Sequence, residues 1–341
     1  MAPAPGKASR ASGAPLAARV FARLADGRFH SGEALAKSLA VSRSAVWKAV
    51  GSLKALGAEL HAVRNRGYRL AVATEPLAAP QIRALLRRAT LPHVASIGTV
   101  WSIASTNTEL LGRAHPRHGT SDVLLAEHQS AGRGRRGRAW LAPPGGGICL
   151  SLSWLFREVP PDLGALGLVI GVCALRALRQ FGVAGTTLKW PNDLLIDGRK
   201  LGGVLIDLRA ESAGPAYVVI GMGLNVALGA AVLERIAAAG LAATDLAGAG
   251  LRSPSRNRLA ATLIGSFIDG LLEFERGGLK PFLEEWRSAD ALRGRPIDVR
   301  AAAGAIARGL ARGIDVHGAL MLETSQGLQR FISGDVTVRP A

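Results

Sequence analysis

An α+β architecture built from more than one domain is predicted by three observations. The chain has 341 residues, more than a single hydrophobic core ordinarily serves. Hydrophobic residues make up 48% of it and charged residues 20%, the balance of a folded globular protein and not of a disordered one. The apolar spacing also changes along the chain. It is helical near the start, mixed in the middle and strictly alternating near the end.

Charge narrows the partners. Lys and Arg number 42 against 25 acidic residues, so the net charge of +17 favours polyanions, either nucleic acid or nucleotide phosphates. About +9 of it falls within the first 72 residues, which makes that end the expected DNA contact. Cys149 and Cys173 are the only cysteines and each sits in an apolar segment. That predicts buried, reduced thiols in a cytoplasmic protein, with neither a disulfide framework nor a metal site. The longest apolar stretch, from Ala165 to Leu175, is about half of what a bilayer span needs, so no membrane partner is expected. Residues 1–14 are rich in Ala, Pro, Gly and Ser without the apolar core of a signal peptide, and predict a disordered tail.

The first domain is predicted at residues 15–72. Val20, Phe21 and Leu24 share one face of a first helix, and Ser31 opens a second that carries Glu33, Leu35 and Leu39. After a short turn at Val41 and Ser42, a third helix runs from Arg43 to about Leu56, with Ala45, Val46, Val50 and Leu53 inward and Arg43, Ser44, Lys48 and Lys54 outward. Gly57 ends it. Alternation around Asn65, Arg66 and Gly67 then predicts a two-stranded hairpin with a basic tip. Together these make a winged helix-turn-helix. Its third helix would enter a DNA major groove, with Arg43, Ser44 and Lys48 on the groove side and Arg64, Arg66 and Arg69 against phosphates. A winged helix used for protein contacts is the competing reading. Residues 73–80, rich in Ala and Pro, form a linker to a central domain at 81–290. From 291 to 341 short alternating segments separated by glycines predict a small β-barrel.

Chemistry concentrates in the central domain. After the apolar strand Val123–Ala126 come Gln129, Gly132, Arg133, Gly134, Arg135, Arg136, Gly137, Arg138 and Trp140. Four guanidinium groups interleaved with three glycines repel one another, and a polyphosphate would relieve that repulsion while glycine lets backbone amides approach its oxygens. Such a loop is expected to stay mobile until an anionic ligand orders it. A solvated basic turn or an extra DNA contact is the plainer alternative, and the spacing excludes an ordinary P-loop.

Lys189-Trp190-Pro191-Asn192-Asp193 follows, then a hairpin turn at Asp197-Gly198 and a second strand with Gly202 and Gly203. Lys189 is expected at a strand entrance, where a fixed ammonium can neutralise charge developing on a carboxylate or phosphate. The two glycines would leave room for a ligand. Gly221-Met222-Gly223-Leu224-Asn225 is a weak dinucleotide match, better read as a strand end beneath a ligand with the Asn225 amide free for phosphate or sugar. Thr106 and Glu109 have capping-box spacing, which a simple helix start explains equally well.

In this order the segments resemble the bifunctional biotin protein ligases and biotin operon repressors of bacteria, over residues from about Leu16 to Arg339. The resemblance implies a central mixed sheet with helices similar to class II aminoacyl-tRNA synthetases, and an SH3-like barrel at the end. It implies that Ser105, Thr106 and Gln129 hold the ring end of biotin, and that Gly132, Arg133, Arg135 and Arg138 belong to the loop closing over biotin and the adenylate. Lys189 would contact the carboxyl and α-phosphate oxygens beside Gly202 and Gly203. Arg135, Arg138, Trp140, Asn192 and Asn225 would line the nucleotide site, and Asp193 would orient or deprotonate the incoming lysine.

The implied reaction joins biotin to MgATP, giving biotinyl-5′-adenylate and pyrophosphate, and then transfers biotin to a lysine of a biotin carboxyl carrier protein. The adenylate would also promote a homodimer that binds operator DNA. Two positions depart from the family pattern. Leu241 stands where a tryptophan often stacks on adenine, and Ala139 stands where a polar residue is common. A repressor without catalysis and a lipoate ligase are the alternatives.

Overall fold

The structure, a computed structural model, describes residues 14–210, 214–251, 253–301, 306–332 and 336–340. The expected tail at residues 1–14 therefore lies, apart from Ala14, outside the described residues. The first domain contains α1 (Leu16–Leu24), α2 (Gly32–Leu39), α3 (Arg43–Ala55), β1 (Leu60–Val63) and β2 (Gly67–Leu70). The Ser31 hydroxyl accepts from the Ala34 amide at 3.0 Å and the Ser42 hydroxyl from the Ala45 amide at 3.2 Å, so each helix starts where a side chain satisfies an orphan N–H. Ala40, left-handed at φ 53°, makes the turn between them. Val20, Phe21, Leu24, Leu35, Val46, Val50 and Leu53 fill the core. Truncating a residue such as Leu53 to alanine costs about 2–5 kcal/mol in a packed interior. Gly67 (φ +95°) lies so close to His30 that an added Cβ would fall 2.0 Å from its carbonyl oxygen, which fixes the wing against the segment before α2.

The linker is not a free tether. The Glu75 carboxylate accepts from the Ser255 hydroxyl at 2.7 Å and the Asn257 amide at 3.1 Å. The Leu77 amide donates to Glu127 at 2.6 Å and the Ala78 amide to Asn257 at 2.9 Å. Pro and Ala mark a linker in sequence, and these bonds give its backbone the partners that an exposed segment finds in water.

The central domain comprises α4 (Ala79–Leu85), β3 (Val94–Ile103), α5 (Thr106–Leu111), β4 (Ser121–Gln129), β5 (Gly147–Phe156), α6 (Leu166–Arg179), β6 (Thr186–Lys189), β7 (Asp193–Ile196), β8 (Arg199–Ala210), β9 (Ala216–Asn225), α7 (Ala230–Ala238), α8 (Arg256–Gly277) and α9 (Leu283–Ser288). Its strands form one sheet in the order β3-β4-β5-β9-β8-β7-β6, parallel between β3 and β4 and antiparallel elsewhere. Ile148, Leu150, Leu152, Trp154 and Phe156 of β5 share a core with α6 and α8, while Leu155 joins Leu110 of α5 on the other face. A strand covered on both faces is apolar throughout, and every residue of β5 is buried. Helices α6 and α8 cross so tightly that a Cβ at Gly270 would fall 2.2 Å from the Cys173 Sγ.

Strands β10 (Pro296–Ala301), β11 (Ile306–Ile314), β12 (Leu320–Thr324), β13 (Gly327–Phe331) and β14 (Val336–Pro340) form an antiparallel sheet in the order β13-β12-β11-β10-β14. Ile297, Val299, Leu320 and Leu322 belong to the central core, so this last sheet is packed against the domain that carries the site. The Trp190 indole N–H donates to the Gly318 carbonyl at 3.0 Å across that junction.

Candidate active site

The chemistry-bearing segments meet along one end of the seven-stranded sheet, and a continuous series of contacts connects them. Ser105 caps α5 by accepting from the Thr108 amide at 3.3 Å. This corrects the capping-box spacing, because Thr106 is occupied differently. Its amide and hydroxyl donate to the Gln129 Oε1 at 2.8 and 3.0 Å, and its hydroxyl accepts from Ser151 at 2.7 Å. The single Ser151 hydroxyl proton is shared with Asn107 Oδ1 at 2.5 Å, and the Asn107 amide donates to Asp207 at 2.9 Å. Ser151, Asn107 and Asp207 were not anticipated. For Ser151 the available signal was a polar residue inside the otherwise apolar strand β5.

The arginine loop leaves β4 at Gln129 and folds back as a small hairpin. The Gly134 amide donates to the Arg138 carbonyl at 2.7 Å and the Trp140 amide to the Gly132 carbonyl at 2.9 Å. A Cβ at Gly132 would fall 2.9 Å from the Trp140 carbonyl oxygen and 3.1 Å from the Gln129 Nε2, which explains glycine there. The Arg133 guanidinium donates to the Thr108 hydroxyl at 2.8 Å. Burial lowers the pKa of Arg135, the Asp193 carboxylate opposes that shift, and Arg136 and Arg138 add to it. The electrostatic conflict expected among these guanidinium groups is therefore present in the folded chain. Trp140 lies on Gly223 of β9, where a Cβ would come within 2.4 Å of its ring.

Lys189 and Asp193 are directly paired across β6 and β7, with the cis Trp190-Pro191 bond in the turn between them. Lys189 is thus at the exit of β6 and not at a strand entrance, because Thr186, Thr187 and Leu188, two of them β-branched, supply the strand before it. Asp197 (φ 49°) and Gly198 (φ 72°) then turn the chain into β8, both left-handed as a tight two-residue hairpin requires. A register shift between Leu194 and Leu195 sets Gly203 opposite Asp193. Lys200 thereby reaches Asp193, with Nζ 2.5 Å from Oδ1 and 5.8 Å from the Trp140 ring centroid. Lys200 was passed over in sequence, because the two-residue turn sets it opposite Leu195 and only the register shift brings it to Asp193.

Four expected ligand positions are internally engaged. A Cβ at Gly202 would meet the Gly223 carbonyl at 2.8 Å, and one at Gly203 the Lys200 Nζ at 3.2 Å, so their clearance serves the sheet and the Lys200–Asp193 pair. The Asn192 amide donates to the Val204 carbonyl at 2.7 Å. Asn225, only 3% exposed, gives its amide to the Thr244 carbonyl at 2.9 Å and the Lys200 carbonyl at 3.4 Å instead of holding it free. Leu241 is exposed, on the segment bonded to Lys200 through the Ala242 carbonyl. Cys149 and Cys173 are buried, which pushes their thiols up to about 11 and about 12, so neither is a nucleophile near neutrality.

On the first domain, Arg43, Ser44, Lys48, Arg64 and Arg66 are all exposed, on α3 and on the wing tip. Arg66 and Arg69 are steadied over the Phe29 ring at 4.2 and 5.1 Å. No helix among the described residues is long and apolar enough to cross a membrane.

Comparison with known proteins agrees with this layout. Residues 100–225 match the biotin/lipoate A/B protein ligase family, residues 18–69 an HTH domain and residues 293–339 the biotin protein ligase C terminal domain. The chain is 36% identical over 323 residues to the bifunctional ligase/repressor BirA of Escherichia coli strain K12, covering 95% of this chain and 97% of that protein. It is 31% identical over 318 residues to the Bacillus subtilis strain 168 protein of the same name, covering 92% and 94%. In fold it resembles the biotin protein ligase of Aquifex aeolicus in complex with biotin and ATP, with a TM-score of 0.61 and 24% identity over 72% of this chain and 100% of that one. With a similarity that runs through all three parts, the chain belongs to the family of bifunctional biotin protein ligases and repressors.

Proposed function

We propose that this protein condenses biotin with MgATP to biotinyl-5′-adenylate and pyrophosphate, transfers the biotinyl group to a lysine of a biotin carboxyl carrier protein, and represses transcription from operator DNA. The observation that carries the catalytic reading is the convergence at one sheet end of the Thr106–Gln129 hydrogen bonds, the arginine loop, Trp140, and the Lys189, Asp193 and Lys200 group. A carboxylate and a triphosphate arriving together need concentrated positive charge and apolar cover, and this end of the sheet has both.

In this reading Ser105, Thr106, Gln129, Gly132 and Arg133 surround the ring end of biotin. Lys189 and Arg135 hold the carboxylate against the α-phosphate as the C–O–P linkage forms and pyrophosphate leaves. Arg135, Arg138 and Trp140 cover the nucleotide, while Asn192 and Asn225 brace the strand ends beneath it. Magnesium enters as part of the nucleotide substrate, on its phosphates. In the second step the acceptor amine attacks the carbonyl, AMP departs, and the amine proton passes to Asp193 or solvent. Loop closure keeps water from the anhydride.

The same adenylate acts as corepressor by favouring a homodimer joined through sheet edges, which presents two winged domains to a two-part operator. Incubation with biotin, ATP and an acceptor domain, read by streptavidin blot, tests the catalytic reading. Absence of label with intact operator binding would leave a repressor alone, and preferential use of lipoate in competition would reassign the substrate.

A further inference from the structure

Trp47 lies on the outer face of α3 and is 67% exposed, whereas the other five of the six tryptophans are buried or half-buried. The fold does not need it there, because α3 is held by Val46, Ala49, Val50 and Leu53 on the opposite side. One turn further along the same face stands Gly51, where an added Cβ would meet nothing within 4 Å. Glycine inside a helix is unfavourable relative to alanine, so its presence in open space is also unexplained by this chain's own packing. Arg43 and Ser44 lie one turn before Trp47, and Lys48 and Lys54 flank the same surface, all exposed. An apolar ring beside a bare stretch of helix, framed by cations, matches the edge of a DNA base with phosphates on either side.

We propose that Trp47 is a specificity-determining residue of the DNA interface. Its ring covers a thymine methyl group in the major groove, its indole N–H donates to a neighbouring acceptor, and Gly51 gives the groove wall clearance. The inference rests on the operator-binding reading above and names what that reading leaves open: which side chain reads bases. Contacts from Arg64, Arg66 and Arg69 to phosphates would position the domain without carrying sequence information.

The test uses the full chain with biotin and ATP. Duplexes are selected from a random pool with the wild type, and Kd is measured by fluorescence anisotropy for wild type, Trp47→Ala and Gly51→Leu. Trp47→Ala is expected to weaken the selected duplex about tenfold or more, with little change on random duplex, an unchanged salt slope and unchanged biotin ligation. Replacing thymine by deoxyuridine at the contacted position should weaken the wild type several-fold and leave Trp47→Ala unaffected. Gly51→Leu should weaken the selected duplex without lowering the melting temperature. Equal affinity and equal sequence preference for Trp47→Ala would overturn the proposal. So would a Trp47→Ala variant that loses selected and random duplexes alike while sedimenting as a monomer, which would make Trp47 a contact between copies. A wild type that selects no duplex would remove the DNA reading itself and this inference with it.

Discussion

The Lys200 ammonium lies 2.5 Å from the Asp193 carboxylate, and Asp193 is at the same time the strand partner of Lys189 and the opposing charge that steadies Arg135. One carboxylate therefore faces two cations, one from the loop and one from β8, beside its backbone partner Lys189 of β6. Asp193→Asn is expected to slow transfer to the acceptor about 10²-fold, the usual scale for a positioned acid–base group. Pyrophosphate release in the first step should change much less. Measuring both steps separately checks this, and equal loss in both would make Asp193 an organiser of the cations only.

Lys189→Ala and Arg135→Ala are each expected to reduce adenylate formation by about 10²–10³-fold, the cost of removing one preorganised electrostatic contact to a developing charge. Lys189 is at a strand end and Arg135 is on a surface loop, so neither change should shift the melting temperature by much. Pyrophosphate release followed beside a thermal melt distinguishes lost chemistry from lost fold.

Arg256 and Glu127 form a buried ion pair at 2.9 Å, exposed 1% and 7%, and Glu127 also accepts from the Leu77 and Gly145 amides. Glu127→Ala would leave the Arg256 charge uncompensated in the interior and free the linker amide. The expected loss is about 3–5 kcal/mol, measured by denaturant unfolding. A loss under about 1 kcal/mol would mean that water replaces the carboxylate.

Burial raises the Asp290 carboxyl above its ordinary value, outweighing amide hydrogen bonds from Leu292 and Arg293. The folded state therefore penalises the charged form, and the penalty develops as pH rises from the unfolded value of 3.8 through the raised folded value. Asp290→Asn removes that charge. Its stability relative to wild type should be higher at pH 7 than at about pH 3, which thermal melts across that window would reveal.

Deleting residues 1–75 is expected to abolish specific operator binding at moderate salt, measured by anisotropy. The same deletion uncovers Trp101 of β3, whose ring lies 5.4 Å from Phe21, and removes the Glu75 contacts to Ser255 and Asn257. The truncated chain should therefore melt at a lower temperature than the whole protein.

Much of the architecture was legible because its determinants are short-range. Ser31 and Ser42 start α2 and α3 as their capping chemistry predicts, Asn65 and Gly67 place the wing, and Asp197-Gly198 turns β7 into β8. The arginine loop and the Lys189 segment also stand out locally, through charge density and glycine content. Less legible was what each polar group does once folded. Asn225 looked free and Asn192 was expected to line the nucleotide site, yet both give their amides to carbonyls. Thr106 looked like a cap and serves Gln129, and residues 73–80 looked like a loose linker and are fastened to α8 and β4.

The sequence by itself determined the order of elements, the basic DNA-facing end and the segments that carry the chemistry, because caps, turns and charge clusters act over a few residues. Only the tertiary structure decided that Lys200 meets Asp193, that Trp140 rests on Gly223, and that Trp47 is left outside. Those relationships depend on cross-strand register, on a single shift between Leu194 and Leu195, and on which helix face the core covers. No local propensity encodes such pairings, since each joins residues whose proximity exists only after the sheet and the helices have packed.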